Sequence, residues 1–353
     1  MNVSVIIRTK DEADRLRLTL ASMAIQTAPV EVVIVNDGSS DHTREVIAEA
    51  ESELNIVAVH RDTAGGRCLA SNTGAEHASG DVVLFLDGDT LGEPDFVAKH
   101  AAAHAAEDGL ILRGETYNMR GTRPFLDPEA GTPRKGEEER VARMSQRELA
   151  RSVVTREQIR NDFPSIDKRS QPGVYPGFGP RKLYELEIGA LREHPDCGVL
   201  WTASSGSNFS IKREPFLASG GFDLELSNNE HRELALRLVQ AGMKMRAVAA
   251  RSYHLTHRNG WRDPLVEDEW EEPFCRKHPG AAVALMQIFW QSLADDSPLP
   301  EHARIMSLPE LDRRSARFDG IKGPETIRQA YIDYYNSIDP GAERTMETVQ
   351  SAQ

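Results

Sequence analysis

The run Gly80-Asp81-Val82-Val83-Leu84-Phe85-Leu86-Asp87-Gly88-Asp89-Thr90 constrains the fold of this 353-residue chain more than any other stretch. Five consecutive apolar residues, rich in β-branched and aromatic types, predict a strand buried on both faces. The strand runs directly into two carboxylates separated by one glycine. In extended chain, residues two apart point the same way, and Gly88 lets the backbone pass close to whatever the carboxylates hold. Hard oxygen ligands suit magnesium or manganese bound together with a polyphosphate. The alternative is a plain strand-end turn, since Asp-Gly is a common turn dipeptide.

The preceding residues repeat one unit. Val3–Thr9 reads as a strand, and Leu16, Leu18, Leu20 and Met23 follow at near-helical spacing. Val30–Val35 is a second strand, ending in the polar turn Asn36–Asp41, with Ser39 to Asp41 placed to cap a helix over His42–Glu51. Asn55–His60 is a third, and Ala64-Gly65-Gly66-Arg67 opens a helix through His77. Strands alternating with helices predict an α/β fold, a Rossmann-like and mostly parallel sheet with helices on both faces. Ligands of such sheets bind beyond the carboxyl ends of the strands, so the loops Thr9–Glu12, Asp37–Ser39 and Asp87–Asp89 should open onto one crevice. The Asp37 carboxylate can accept the imide proton of uracil or thymine, or simply form the turn with Gly38. Arg67 can lean on phosphate or stand as a solvated charge, and Asn72 reads as a structural amide.

A net charge of -13 argues against general nucleic-acid or anionic-membrane binding, and 39% hydrophobic with 27% charged residues suits a globular protein. Cys68, Cys197 and Cys275 show no pairing or metal-ligand rhythm, which predicts free thiols. Met1–Ile7 lacks a basic leader, and no apolar run approaches the roughly 20 residues of a membrane span. The expectation is a cytoplasmic protein without a transmembrane segment, with peripheral attachment at a membrane left open.

Val3 to Thr90 resembles the nucleotide-binding half of a family 2 glycosyltransferase of the GT-A fold. The resemblance rests on Ser4–Glu12, Val35–Asp41, Gly66–Gly74 and the Asp87-Gly88-Asp89 triplet, in that order. It implies that Asp37 and the Thr9–Glu12 loop hold base and ribose, that Asp87 contacts ribose or metal-bound water, and that Asp89 is the more direct ligand of Mn2+ or Mg2+. The candidate nucleotide-sugar site is therefore Arg8, Thr9, Asp11, Glu12, Asp37, Arg67, Asp87, Gly88 and Asp89, with Asp87 and Asp89 also as metal ligands.

Downstream, Pro94–Ala106 reads as a helix, Leu110–Met119 as a strand, Arg120–Gly136 as loop, Glu137–Ile159 as a charged helical stretch and Asn161–Gly179 as loop. The segment 120–195 is either a solvated insertion or a wall or lid of the acceptor site. Leu200–Ile211 returns to strand character around a small polar turn. Gly220-Gly221-Phe222-Asp223 then leads to Glu230-His231, which opens an amphipathic helix. The family usually places an acidic pair there, the second acid serving as the base that deprotonates the acceptor; here His231 stands in its position. Glu230 is the first candidate base and His231 the second. Glu230 can alternatively serve only to favour the positive helix end, and Glu233 reads as helix surface or salt bridge. Met245–Ala250 is a last strand, and the family often supplies a third metal ligand from a histidine just beyond it. His254 fits that spacing best, with His257 the alternative.

These boundaries divide the chain into a catalytic domain, residues 1–260, and a helical extension, residues 261–353. The first comprises a nucleotide-sugar half over 1–110 and an acceptor half over 111–260. The extension either packs on the catalytic domain or makes a homodimer, and its end from Gly341 to Gln353 should fray. The expected activity is metal-dependent sugar transfer from a nucleoside-diphosphate donor to a glycan, lipid-linked or small-molecule acceptor, with inversion carried over from the family. The rivals are a sugar nucleotidyltransferase, whose glycine-rich loop after the first strand is missing from Arg8–Glu12, and a non-catalytic nucleotide-sugar binder.

Overall fold

The fold is that of a computed structural model describing residues 1–173, 178–257 and 263–337. The expected loop residues Pro176 and Gly177 and the Gly341–Gln353 end lie outside them. Eleven strands form in chain order: β1 Val3–Thr9, β2 Val30–Asp37, β3 Asn55–Arg61, β4 Val82–Asp87, β5 Thr90–Gly92, β6 Leu110–Asn118, β7 Phe125–Asp127, β8 Thr132–Pro133, β9 Gln171–Pro172, β10 Phe209–Lys212 and β11 Lys244–His254. The main sheet runs β3-β2-β1-β4-β10-β6-β11-β5, with β9 on β6. The first four are parallel; β10 lies antiparallel between β4 and β6, which in turn pairs parallel with β11.

The pleat explains the burial of the organising strand. Val83 and Phe85 point to one face with Ile6, Val33 and Phe209, while Val82, Leu84 and Leu86 point to the other with Val5, Ile7 and Val32. Helices α1 (Ala13–Ala24), α2 (Thr43–Ala50) and α4 (Phe96–Ala106) cover the second face. The first face is covered by α3 (Arg67–His77), helix Glu230–Gln240 and the C-terminal helices. Leu285, Ile288, Phe289 and Trp290 are buried in the same core as Trp201 and Phe85, so this apolar stripe is used inside the chain. No helix among the described residues is long and apolar enough to cross a membrane.

Register sets the site. Arg8 lies opposite Asp87, Asp37 opposite Arg61, and His254 opposite both Asn118 and Thr90. Because β10 is antiparallel to β4, the loop entering β10 meets the carboxyl end of β4: Asn208 N–H donates to Phe85 O at 2.8 Å, and Asp87 N–H donates to Ser207 Oγ at 3.1 Å.

Three sequence readings are corrected. Leu200–Ala203 is a 3-10 turn with all four residues buried, and the strand starts only at Phe209, after Asn208 has taken a left-handed φ of 57°. The Glu137–Ile159 stretch splits into helices Glu138–Ala142, Gln146–Ser152 and Arg156–Asn161, because Ser145 and Thr155 each form a capping box that starts a new helix. The stretches expected as loops contain structure: the β7–β8 hairpin lies within Arg120–Gly136 and helix Phe163–Arg169 within Asn161–Gly179.

Behind the sheet, α4 presents two buried histidines to β10. His100 meets Asn208 Oδ1 at 2.9 Å and Ser210 Oγ at 2.7 Å, and His104 Nε2 meets the same Ser210 oxygen at 2.9 Å. Asn208 Nδ2 donates onward to the carbonyls of Glu115 and Ala250. A Cβ at Gly114 would fall 2.0 Å from Asn208 Oδ1, which explains a glycine in that strand.

Candidate active site

A cleft of about 540 Å³ opens at the carboxyl ends of β1, β2 and β4 and extends past the 204–208 loop to helix Glu230–Gln240. Arg8, Thr9, Glu12, Asp37, Arg67, Asp87, Gly88, Asp89, Glu230, His231, His254 and His257 all line it. Asp11 does not: its carboxylate turns to Ser40, accepting from N–H at 2.7 Å and from Oγ at 3.0 Å, so it joins the loops after β1 and β2. Lys10 takes the place beside the cleft instead.

Asp37 has both oxygens engaged. Oδ1 accepts from Gly65 N–H at 2.8 Å and faces Arg61 at 3.0 Å; Oδ2 accepts from Gly66 N–H at 2.9 Å. The residue thus builds the loop that starts α3 and keeps a lone pair on Oδ2. Gly88 carries its predicted close approach, since a Cβ there would lie 3.1 Å from Thr9 Oγ1 and from Arg8 O. Asn72 grips both backbone groups of Phe222 at 2.8 Å, and Gly221, at φ 70°, leaves no room for a side chain beside it.

The two acids of the triplet part company. Asp87 Oδ1 pairs with Arg8 at 2.8 Å, whereas Asp89 Oδ2 faces His257 Nε2 at 2.9 Å and His254 Nε2 at 3.3 Å. Asp89, His254 and His257 are the residues whose ligand atoms converge within 4.8 Å of one another; Asp87 stays outside that group. Asn118 Nδ2 donates to Gly173 O, which leaves its Oδ1 to accept from His254 Nδ1 at 3.2 Å. The other ring nitrogen of His254 faces the Asp89 carboxylate, and two imidazole nitrogens with a carboxylate oxygen are a donor set that fits a divalent cation. Burial opposes the ionised form of Asp89, but His254 and His257 outweigh it and hold the carboxyl well below its usual range. Burial pushes Asp87 up despite Arg8, and burial plus the Asp89 charge push Glu12 to about 8.

On the far side, Glu230 is 1% exposed at the first turn of its helix, and His231 Nδ1 lies 3.8 Å from its Oε2. Burial raises the Glu230 carboxyl, yet His231 and Arg8 bring it below its usual value. Glu233 is buried too, in ion pairs with Arg237 at 2.7 Å and His278 at 2.8 Å, so it is a salt-bridge residue rather than helix surface.

Sequence reasoning missed the far wall of the cleft. Glu187 sits between Arg113, at 2.5 Å, and Arg232, at 2.9 Å, and the Arg113 guanidinium lies over the Tyr184 ring. Both signals were present: Arg113 interrupts the apolar run Leu110-Ile111-Leu112, and Glu187 occupies the apolar face spaced as Leu183, Tyr184, Ile188 and Leu191. Leu183, Tyr184 and Glu187 make the 120–195 segment one wall of the cleft.

A mostly parallel sheet with an antiparallel switch strand, and with its cleft beyond the carboxyl ends of the strands, makes this a mixed α/β fold. Residues 4–156 match the family described as Glycosyl transferase family 2. It is 29% identical over 304 residues to the validoxylamine A glucosyltransferase of Streptomyces hygroscopicus subsp. jinggangensis, covering 82% of this chain and 63% of that protein. It is 26% identical over 261 residues to the chondroitin synthase of Escherichia coli, covering 71% of this chain and 34% of that one. The chain therefore spans less than two thirds of these relatives' length. Among solved structures, a mannosyltransferase from Pyrobaculum calidifontis with GDP-Man and Mn2+ is 16% identical with a TM-score of 0.48, covering 100% of this chain and 81% of that one.

Proposed function

We propose that this protein transfers a sugar from a nucleoside-diphosphate donor to a hydroxyl or amine acceptor, with inversion at the anomeric carbon. The observation that carries this reading is the meeting, in one cleft, of the Asp89–His254–His257 group with Glu230, the Arg8–Asp87 ion pair lining the same cleft. The match of residues 4–156 to Glycosyl transferase family 2 and the similarity to a glucosyltransferase support the same reading.

Asp37 Oδ2 accepts the imide proton of uracil or thymine, with guanine also able to donate there. Asp89, His254 and His257 would hold Mn2+ or Mg2+, nitrogen ligands favouring manganese, and Asp87 would serve the ribose. A cation held there would supply positive charge against the leaving diphosphate. Arg8 and Arg67 add positive charge on the donor side, and Glu230 takes the acceptor proton. A bond from the acceptor oxygen or nitrogen forms at the anomeric carbon as its bond to the diphosphate oxygen breaks, and the electron pair leaves with the diphosphate.

The test is a thermal-shift panel of UDP, TDP, GDP, ADP and CDP with and without Mn2+. One nucleotide should raise the melting temperature only when the metal is present, because a ligand at 100 times its Kd stabilises the folded state by about 2.7 kcal/mol. No shift with any nucleotide sinks the reading.

A further inference from the structure

Glu230 and His231 both stand where the base must be, and the hydrogen bonds around them separate their roles. Arg232 Nη1 lies 3.1 Å from His231 Nε2. A guanidinium has donors only, so Nε2 must be the accepting nitrogen and its lone pair is spent. The ring proton of neutral His231 is therefore on Nδ1, which has no hydrogen-bond partner and faces Glu230 Oε2, likewise unpartnered and buried, at 3.8 Å. Arg232 is itself held rigidly: Nε donates to Thr202 O at 2.7 Å, Nη1 to Asn229 Oδ1 at 2.7 Å, and Nη2 pairs with Glu187 at 2.9 Å. An imidazolium at 231 would set N–H against N–H and positive charge against positive charge.

The other carboxylate oxygen borders the space in front of Gly206, which His231 Nδ1 and Arg8 also face. A side chain on Gly206 would lie 3.6 Å from Glu230 Oε1, 3.6 Å from Arg8 Nη2 and 3.4 Å from His231 Nδ1. The missing side chain leaves a seat for an acceptor oxygen beside Oε1.

We propose that Glu230 is the base and that His231 is a positioning residue unable to take the proton, its Nδ1–H form fixed by Arg232 and directed at Glu230 Oε2. This rests on the transfer reading above for the identity of the proton. The acceptor O–H proton passes to Glu230 Oε1 as the new bond to carbon forms, and it leaves afterwards to solvent. Substituting histidine for the family's second acid thus moves the base one residue back along the helix and replaces a repulsive second carboxylate by a donor. The charged and titratable groups facing this pair are Arg8, Asp87 through Arg8, Cys68, Arg232 and Glu187.

The test needs neither metal nor donor, so its failure is separable from a failed thermal-shift panel. Nitrogen-15 side-chain spectra of the whole protein near neutral pH, with His231 assigned by its loss in His231→Gln, should show Nδ1 protonated and Nε2 bare. An Nε2–H tautomer or an imidazolium overturns the proposal. Carbon-13 titration of the Glu230 carboxyl supplies a second readout. His231→Leu should raise its midpoint by about one pH unit, a tenfold change in proton affinity. His231→Gln, whose amide still donates, should largely restore it. A Glu230 titration unmoved by His231→Leu in a variant that stays folded also overturns the proposal.

Discussion

Asp89→Asn should remove the metal-dependent part of nucleotide binding and lower sugar transfer by roughly 10³-fold, as expected when a cation supplying several kcal/mol of charge stabilisation is lost. The size follows from where Asp89 sits. It is 6% exposed and is the acid that brings His254 and His257 together. Asparagine keeps the volume and one acceptor oxygen but removes the negative charge that balances a divalent cation. The fold should survive, because the asparagine oxygen still accepts a hydrogen bond from a neighbouring imidazole. Asp87→Asn gives the contrast. Its carboxylate is the counter-ion of Arg8, so that change should leave the metal-dependent thermal shift in place while weakening donor affinity. Calorimetric titration of Mn2+ into each variant in the presence of the selected nucleotide decides the matter. Unchanged metal binding in Asp89→Asn would place the cation elsewhere and dissolve the site as described.

How legible the site was depends on how far apart in the chain its partners lie. Asp87-Gly88-Asp89 could be singled out because strand and turn are contiguous, and His254 and His257 because one ends the last strand and the other lies just beyond it. Arg8 was placed in the nucleotide site, but its bond to Asp87 is a product of β1–β4 register, which local pattern does not specify. Asp11 was misplaced for a related reason: its loop was right, yet a positive φ of 52° turns its side chain to Ser40. The Arg113–Glu187–Arg232 wall joins a strand, an inserted helix and a later helix, so each residue looks like an isolated charge until the fold assembles it. The sheet itself was legible through its alternating strands and helices. The inserted helices were harder, because their starts are set by capping boxes at Ser145 and Thr155 rather than by apolar periodicity.

The histidines of α4 belong to the same unread class, and they predict that the protein loses about 4 kcal/mol of stability between neutral pH and pH 5 through these two residues alone. Four residues apart, His100 and His104 look like one polar helix face, yet both are at most 1% exposed. Burial pushes His100 down to about 3, and burial with the nearby Lys212 charge pushes His104 down to about 4. Both are therefore neutral in the folded state near neutral pH. The unfolded chain binds their protons at about 6.5, so lowering the pH through that value favours unfolding. The stabilising effect is complete above about 6.5 and is lost progressively as the pH falls toward the folded-state values. At pH 5 each histidine contributes a loss of about 2 kcal/mol, because one pH unit is worth about 1.36 kcal/mol. His104→Gln keeps a donor for Ser210 and removes one titrating group, so denaturant unfolding at pH 7 and pH 5 should show its pH-dependent loss to be smaller than wild type by about 2 kcal/mol. Equal losses in the two proteins would mean that His104 is already charged in the fold. Because Asn208, the other partner of His100, also sets the loop that carries Ser207 to Asp87, acid opening of this network should loosen the cleft before the sheet itself gives way.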